Sequence, residues 1–204
     1  MKQLCDKDRE YYLQCNVLTV PFLDVEFIKE KVFTNINNNK KLGIEVSVIE
    51  SLMSWINHVV KYSSNKEIQD LKFQRTSKEI FESGYASGCT DYAILFATFA
   101  RQLGIPTTFL HTAEQDWIKK LKNNKDYKIH KGHSFCECYY DGKWILVDPT
   151  LKKITDNYNC DKIELDYMIN GNNIFIPYYR DLDLSKRQTV KEHNDEMEDL
   201  CRIL

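Results

Sequence analysis

Three residues have types and surroundings suited to covalent chemistry on a carbonyl carbon: Cys89, His133 and Asp148. Cys89 follows Gly88 where a flexible loop, Gly84 to Gly88, runs into an apolar-periodic segment. The first turn of a helix has unpaired N–H groups and a partial positive charge, and both favour a thiolate over a thiol. Those N–H groups also suit a developing oxyanion, and Gly88 leaves the backbone open to close approach. On this stretch alone, a small apolar side chain at a helix start reads equally well.

The second half of the chemistry lies on a hairpin. His133 to Tyr140 and Lys143 to Val147 flank Asp141-Gly142, the dipeptide of two-residue type I′ turns. With that turn, opposed residues have numbers summing to 283, so Phe135 faces Asp148 and His133 lies one diagonal step away on the same side. Diagonal Cα atoms lie ~7–8 Å apart, within reach of an imidazole-to-carboxylate hydrogen bond. Such a bond would fix the tautomer of the ring and orient it. A purely structural His–Asp pair is the alternative. Together, nucleophile, base and orienter in the order Cys, His, Asp make the set that acyl transfer needs.

The elements that must position these groups read as helices first and strands later, which is an α+β pattern. A helix is expected within 45 to 62, with Val48, Ile49, Leu52, Trp55, Ile56 and Val59 on one face. Thr76 to Glu79 is a capping box and Gly84 a stop signal. The helix from Cys89 should reach about Leu103, with Tyr92, Leu95, Phe96 and Phe99 inward, then Gly104 and Pro106 end it. Thr107 to His111 reads as a strand. Asn35 to Lys41 and the lysine-rich Lys119 to Lys131 read as solvated loops, the second a possible rim of a substrate cleft. Three parts are expected: an N-terminal extension with a helical segment over 1–44, a core domain over 45–177, and a charged, helical C-terminal extension over 178–204.

With 204 residues, 43% of them hydrophobic, the chain can bury a sizeable core. The 28 Lys+Arg against 30 Asp+Glu give a net charge of -2, which argues against nucleic acid or an anionic membrane as partner. No apolar run is long enough to span a bilayer, and the start lacks the apolar stretch of a signal peptide, so the cytoplasm is the expected compartment. Seven cysteines, thinly spread, then read as free thiols. Cys136 and Cys138 share a strand face opposite His133 and read as core. Neither they nor His130 with His133 have metal-site spacing, so no metal and no cofactor is expected. His111, at a strand end, reads as a satisfied histidine that could line a cleft.

Four segments, in this order, resemble the transglutaminase-like superfamily of papain-like cysteine enzymes in its bacterial-type single-domain form. They are Gly-Cys-x-Asp-Tyr-Ala at 88 to 93, Arg-x-Leu-Gly-Ile-Pro at 101 to 106, Gly-His at 132 to 133, and Asp-Gly-Lys-Trp with Val-Asp-Pro-Thr at 141 to 150. The resemblance implies a papain-like fold, with the nucleophile helix packed on an antiparallel sheet. It implies Cys89 as nucleophile, His133 as general base and acid, and Asp148 as orienter. It also implies a second oxyanion donor upstream of the cysteine, for which Trp55, Tyr62 and Gln74 are the candidates. Trp55, on the apolar face of its helix, reads better as core. The activity implied is hydrolysis of an amide or peptide bond through a thioester, on a peptide or protein bearing an amide side chain or peptide bond. The alternatives are amine-accepting transglutaminase or acyltransferase chemistry and a non-catalytic peptide-binding scaffold. The chain shows neither the extra β-domains of animal cross-linkers nor a calcium-type acidic loop, which favours hydrolysis. Arylamine acetyltransferases fit less well, lacking here their Arg-Gly-Gly-x-Cys stretch, as do peptide N-glycanases, whose zinc-binding Cys-x-x-Cys pairs are missing.

Overall fold

The computed structural model describes residues 6–124, 130–162, 164–168 and 172–204. Cys5 and the stretch 125–129 of the lysine-rich segment lie outside the described residues. The first half is helical: α1 (Asp6–Tyr12), α2 (Val25–Lys41) and α3 (Val48–Val59). Strand β1 (Lys61–Tyr62), helices α4 (Lys66–Gln69) and α5 (Ser77–Ser83), and strand β2 (Tyr85–Ala86) lead into α6 (Cys89–Gln102). Then come β3 (Thr107–Glu114), α7 (Gln115–Asn123), β4 (Gly132–Tyr140), β5 (Lys143–Asp148), β6 (Lys153–Thr155), β7 (Leu165–Met168), β8 (Asn172–Asp181) and α8 (Val190–Ile203).

Six strands form one antiparallel sheet in the order β6-β5-β4-β3-β8-β7. The β4–β5 hairpin has the expected register, with Cys136 opposite Val147 and Tyr140 opposite Lys143. Asp141 and Gly142 both have positive φ, as a type I′ turn requires. One face of the sheet, through Phe109, Cys136, Cys138, Ile145 and Val147, packs on α6. The opposite face carries a second cluster around Phe135, Leu146, Tyr167 and Phe175. This is an α+β arrangement with the cysteine-bearing helix laid on an antiparallel sheet, the layout that the resemblance implies.

Helix α6 departs from the expected single apolar face. Every residue from Thr90 to Arg101 is buried, because α3 and α5 cover the side that the sheet does not. Arg101 is fully used there: it donates to Thr107 O, to Leu182 O and to Thr19 Oγ1, tying the helix end to β3, to the chain after β8 and to the N-terminal segment. The capping boxes at Thr76/Glu79 and Ser47/Glu50 are both closed, and Gly84 ends α5 in the left-handed conformation.

Three expectations are corrected. Asn35 to Lys41 is not a loop but the last two turns of α2, because Ile28, Val32 and Ile36 pack against the core and override the poor helix propensity of asparagine. Asn39 also bonds back to Asn35 within the helix. Residues 119 to 123 belong to α7, whose Trp117, Ile118 and Leu121 form an apolar stripe against α8. The boundary at 177 falls inside β8, which pairs with β3 on both sides of it, Thr112 with Pro177 and His111 with Tyr179. Leu18, Ile28 and Val32 likewise belong to the central cluster, so the core draws on residues before 45 and after 177. Among the described residues no helix is long and apolar enough to cross a membrane.

Candidate active site

Cys89 is the first residue of α6, half-buried, with Gly88 as N-cap. What holds the loop before it is a carboxylate two residues after it. Asp91, fully buried, accepts through Oδ2 from Ser87 N at 2.6 Å, Ser87 Oγ at 2.7 Å and Arg75 Nη2 at 2.5 Å. Arg75 is itself buried and reaches Ser83 Oγ. The Cys-x-Asp spacing therefore clamps the turn that presents the thiol. Gly88 has extended backbone, and a Cβ there would meet only Lys72 Cε at 3.8 Å, so space and not backbone strain is what the glycine leaves.

His133 is the second residue of β4, and its Nε2 lies 2.8 Å from Asp148 Oδ2. Asp148 is fully buried at the end of β5 and accepts four hydrogen bonds. Oδ2 takes His133 and the hydroxyl of Tyr167, at 3.0 Å; Oδ1 takes Thr150 N and Leu151 N, at 2.9 and 3.0 Å. With Nε2 so occupied, Nδ1 is the ring nitrogen left for the Cys89 thiol, which lines the same cavity as His133. Burial pushes this thiol up, but the hydrogen bond and charge of His133, with Lys72 and Ser134, outweigh it and bring the pKa down to about 6. Burial pushes His133 down, and Asp148 and Cys89 together raise it to about 10. Between those values the pair is a thiolate beside an imidazolium, and the two titrations belong to the pair.

Gly132 is needed where it stands. A Cβ would meet Thr112 O at 2.5 Å and Met197 Cε at 3.2 Å. Gly132→Ala is expected to cost about 1–3 kcal/mol by forcing β4 away from β3. A urea denaturation midpoint measures it, and an unchanged midpoint would show that the strand yields freely.

Cys89 and His133 line a cavity of about 90 Å³ with Lys72, Phe73, Ser134 and three residues of α8. Those three are His193, Asn194 and Met197, so the C-terminal helix forms one wall. His111 also lines it, buried at 3% exposure. Its tautomer follows from its neighbours. His193 Nδ1 faces Gln188 Oε1 and must donate; its Nε2 then accepts from the Tyr178 hydroxyl, whose oxygen accepts from His111 Nδ1–H. His111 Nε2 is left a buried acceptor with no hydrogen-bond partner among the described residues, where the sequence led to the expectation of a satisfied ring. Burial, then His193 and Lys72, keep this imidazole neutral by holding its pKa well below the ordinary value.

The three expected oxyanion donors are elsewhere. Trp55 is buried among Phe27, Phe81 and Phe99, and Phe99 lies ten residues along α6 from Cys89, about 15 Å at the helical rise. Tyr62 is exposed on β1, paired with Ala86. Gln74 donates to Asp70 O. None of them lines the cavity. Cys136 and Cys138 lie buried against α6, with Cys136 Sγ on Ala93 O, and their thiols are pushed up by burial. His130 bonds Glu198 on α8.

Residues 31–149, more than half of the chain, match the Transglutaminase-like superfamily. The chain belongs to the transglutaminase-like superfamily. Members of this superfamily are generally catalytic, as cysteine-protease-like or transglutaminase enzymes. The matched segment takes in the nucleophile-type helix and the whole His–Asp hairpin but ends before β6, β7, β8 and α8. No curated protein matches the chain. Among solved structures, a chain from Cytophaga hutchinsonii provisionally assigned as a cysteine protease superposes at TM-score 0.54, with 17% identity over 91% of this chain and 50% of its own. A crystal structure of a TGase gives TM-score 0.37 and 17% identity over 72% of this chain and 37% of its own. The chain thus spans half or less of the lengths of these two. The first likeness supports the transglutaminase-like fold.

Proposed function

We propose that this protein is a cysteine-nucleophile acyl-transfer enzyme that hydrolyses an amide or peptide bond. Cys89, His133 and Asp148 are its nucleophile, general base and acid, and orienter. The observation that carries this reading is a helix-start thiol in one cavity wall with His133, whose ring is hydrogen-bonded to a carboxylate saturated by four donors. Cys89 Sγ attacks the carbonyl carbon and forms a C–S bond. His133 gives its proton to the leaving nitrogen as the C–N bond breaks. Water then attacks the thioester, His133 takes its proton, and the C–S bond breaks to release the acid and restore the thiolate. Water is favoured over an amine because the cavity wall is mostly polar, with Lys72, Thr112, His130, Ser134 and Asn194. A cross-linking enzyme must instead keep water from its acyl-enzyme.

The test is the pH dependence of iodoacetamide labelling at Cys89, read by mass spectrometry. In the wild-type protein labelling should rise with a midpoint near pH 6. In His133→Ala only burial and the weaker neighbours remain, so the midpoint should move above the ordinary thiol value of about 8.5. Turnover needs the thiolate and the imidazolium together, so its profile should fall away below about 6 and above about 10. A labelling midpoint near 8.5 that ignores His133 would favour a binding scaffold. Incorporation of an added primary amine in preference to water would assign transamidation.

A further inference from the structure

We propose that Lys72 is the second oxyanion donor of this site, facing the substrate oxygen as the thiolate adds to the carbonyl. The proposal rests on the acyl-transfer reading above and deepens it. Lys72 lies in the turn between α4 and α5 and lines the same cavity as Cys89 and His133. Its Cε is 3.8 Å from where a Cβ on Gly88 would be, so the end of the side chain, carrying the ammonium one bond further on, lies within reach of the cavity beside the Cys89 helix start. That N–H is the first donor of an oxyanion hole at a helix start. A side chain reaching across the same backbone can supply the second.

The turn is built to hold this lysine still. Phe73, the next residue, has φ 66, a conformation that bulky side chains rarely take. Its ring stacks on His193 at 3.7 Å, and its carbonyl accepts from Gln188 N at 3.0 Å. Lys72 Nζ lies 4.9 Å from the Phe73 ring centroid. Among the described residues it makes no ion pair, although 14 such pairs form between others of them. An ammonium beside a helix N-terminus and an imidazolium is repelled by both unless negative charge is close. In the resting site that charge is the thiolate. When sulfur bonds to the carbonyl carbon, the charge moves to the substrate oxygen, and an ammonium in the cavity wall beside Gly88 can meet it there.

The reaction that tests this is turnover of para-nitrophenyl acetate, a neutral ester. Cys89 takes the acetyl group, nitrophenolate leaves, and water then releases acetate. Lys72→Met keeps the length and packing of the side chain and removes its donor. It is expected to lower the burst-phase acylation rate by about 10²–10³-fold at little change in KM, the loss seen when one oxyanion donor is removed. Iodoacetamide alkylation forms no oxyanion, so above pH 8 the same variant should label within about threefold of wild type, by the same logic of transition-state charge. Lys72→Arg should recover part of the loss, and Gln74→Ala, a neighbouring donor outside the cavity, should match wild type.

Acylation by Lys72→Met at the wild-type rate would overturn the assignment. So would a loss confined to KM, which would make Lys72 a substrate anchor, or an equal loss of alkylation, which would make it a support for the thiolate alone. A wild-type protein that labels as an ordinary thiol and turns over no ester would overturn the acyl-transfer reading, and the role of Lys72 with it. Retained labelling near pH 6 with a normal Lys72→Met rate overturns only the latter.

Discussion

Exchanging Asp148 for asparagine is expected to lower acylation by about 10⁴-fold while leaving the protein folded. The reason is an arithmetic of donors. Both oxygens of Asp148 accept from two donors each: His133 and Tyr167 at Oδ2, Thr150 N and Leu151 N at Oδ1. An asparagine has one acceptor end and one NH2 end, so either placement sets donors against donors. The two backbone N–H groups cannot rotate away, which directs the NH2 toward His133. That turns His133 Nε2 into an acceptor, moves its proton to Nδ1, and leaves nothing to take the thiol proton. Burial, already pushing the imidazole down, is then opposed by Cys89 alone, so the upper limb of the pH profile near 10 should move to lower pH. Stopped-flow acylation across pH measures both effects. An Asp148→Asn variant at wild-type rate would mean that the His133–Asp148 bond does not orient the base. Tyr167→Phe removes one of the four donors and should cost far less.

The largest expected loss of stability comes from Asp91. Asp91→Ala would strand the Arg75 guanidinium, 5% exposed, with no anionic partner and would release both Ser87 bonds. Breaking one side of a buried pair costs about 3–5 kcal/mol, chiefly through the charge left behind. Against a domain stability of about 5–15 kcal/mol that is a large fraction. Urea unfolding followed by circular dichroism reads it directly. Removing both charges, as Arg75→Met with Asp91→Ala, should recover much of the loss while the Ser87 turn stays untethered. If the single variant is as stable as the wild type, Arg75 is reaching water in solution and the clamp is not closed.

How far the sequence reveals this molecule depends on the range of each signal. The hairpin register, the capping boxes and the helix starting at Cys89 are legible because each rests on residues within a few positions of one another. His133 and Asp148 meet as expected because one two-residue turn fixes their diagonal. Signals that act between distant segments are silent. Asn35 to Lys41 is polar by composition, yet Ile36 and the helix behind it carry it onto the core. Tyr167 reaches Asp148 from another strand, and no local pattern marks it. Lys72 sits 17 positions before the thiol in a turn whose course is decided by Phe73 docking on α8. Trp55 fits the helix-face pattern of a core residue, and its aromatic neighbours are Phe27, Phe81 and Phe99. Asp91 is legible in principle, since the Cys-x-Asp spacing puts a carboxylate four positions after Ser87, about one helical turn from the loop it holds.

The His133–Asp148 contact closes a loop of 15 residues within a single hairpin, whereas the contact beside it, Thr90 to Ser134, spans 44 and exists only when α6 is seated on the sheet. The two halves of the site therefore sense different events. The carboxylate–imidazole half can form as soon as its two strands pair. The low thiol pKa forms only once the helix has docked. Labelling of Cys89 at neutral pH is thus a gauge of assembly: a chain with its secondary structure in place but its layers apart would carry an ordinary, slow thiol. Any substitution that loosens the helix from the sheet, however far from the cleft, should register first as a change in the rate of that one sulfur atom.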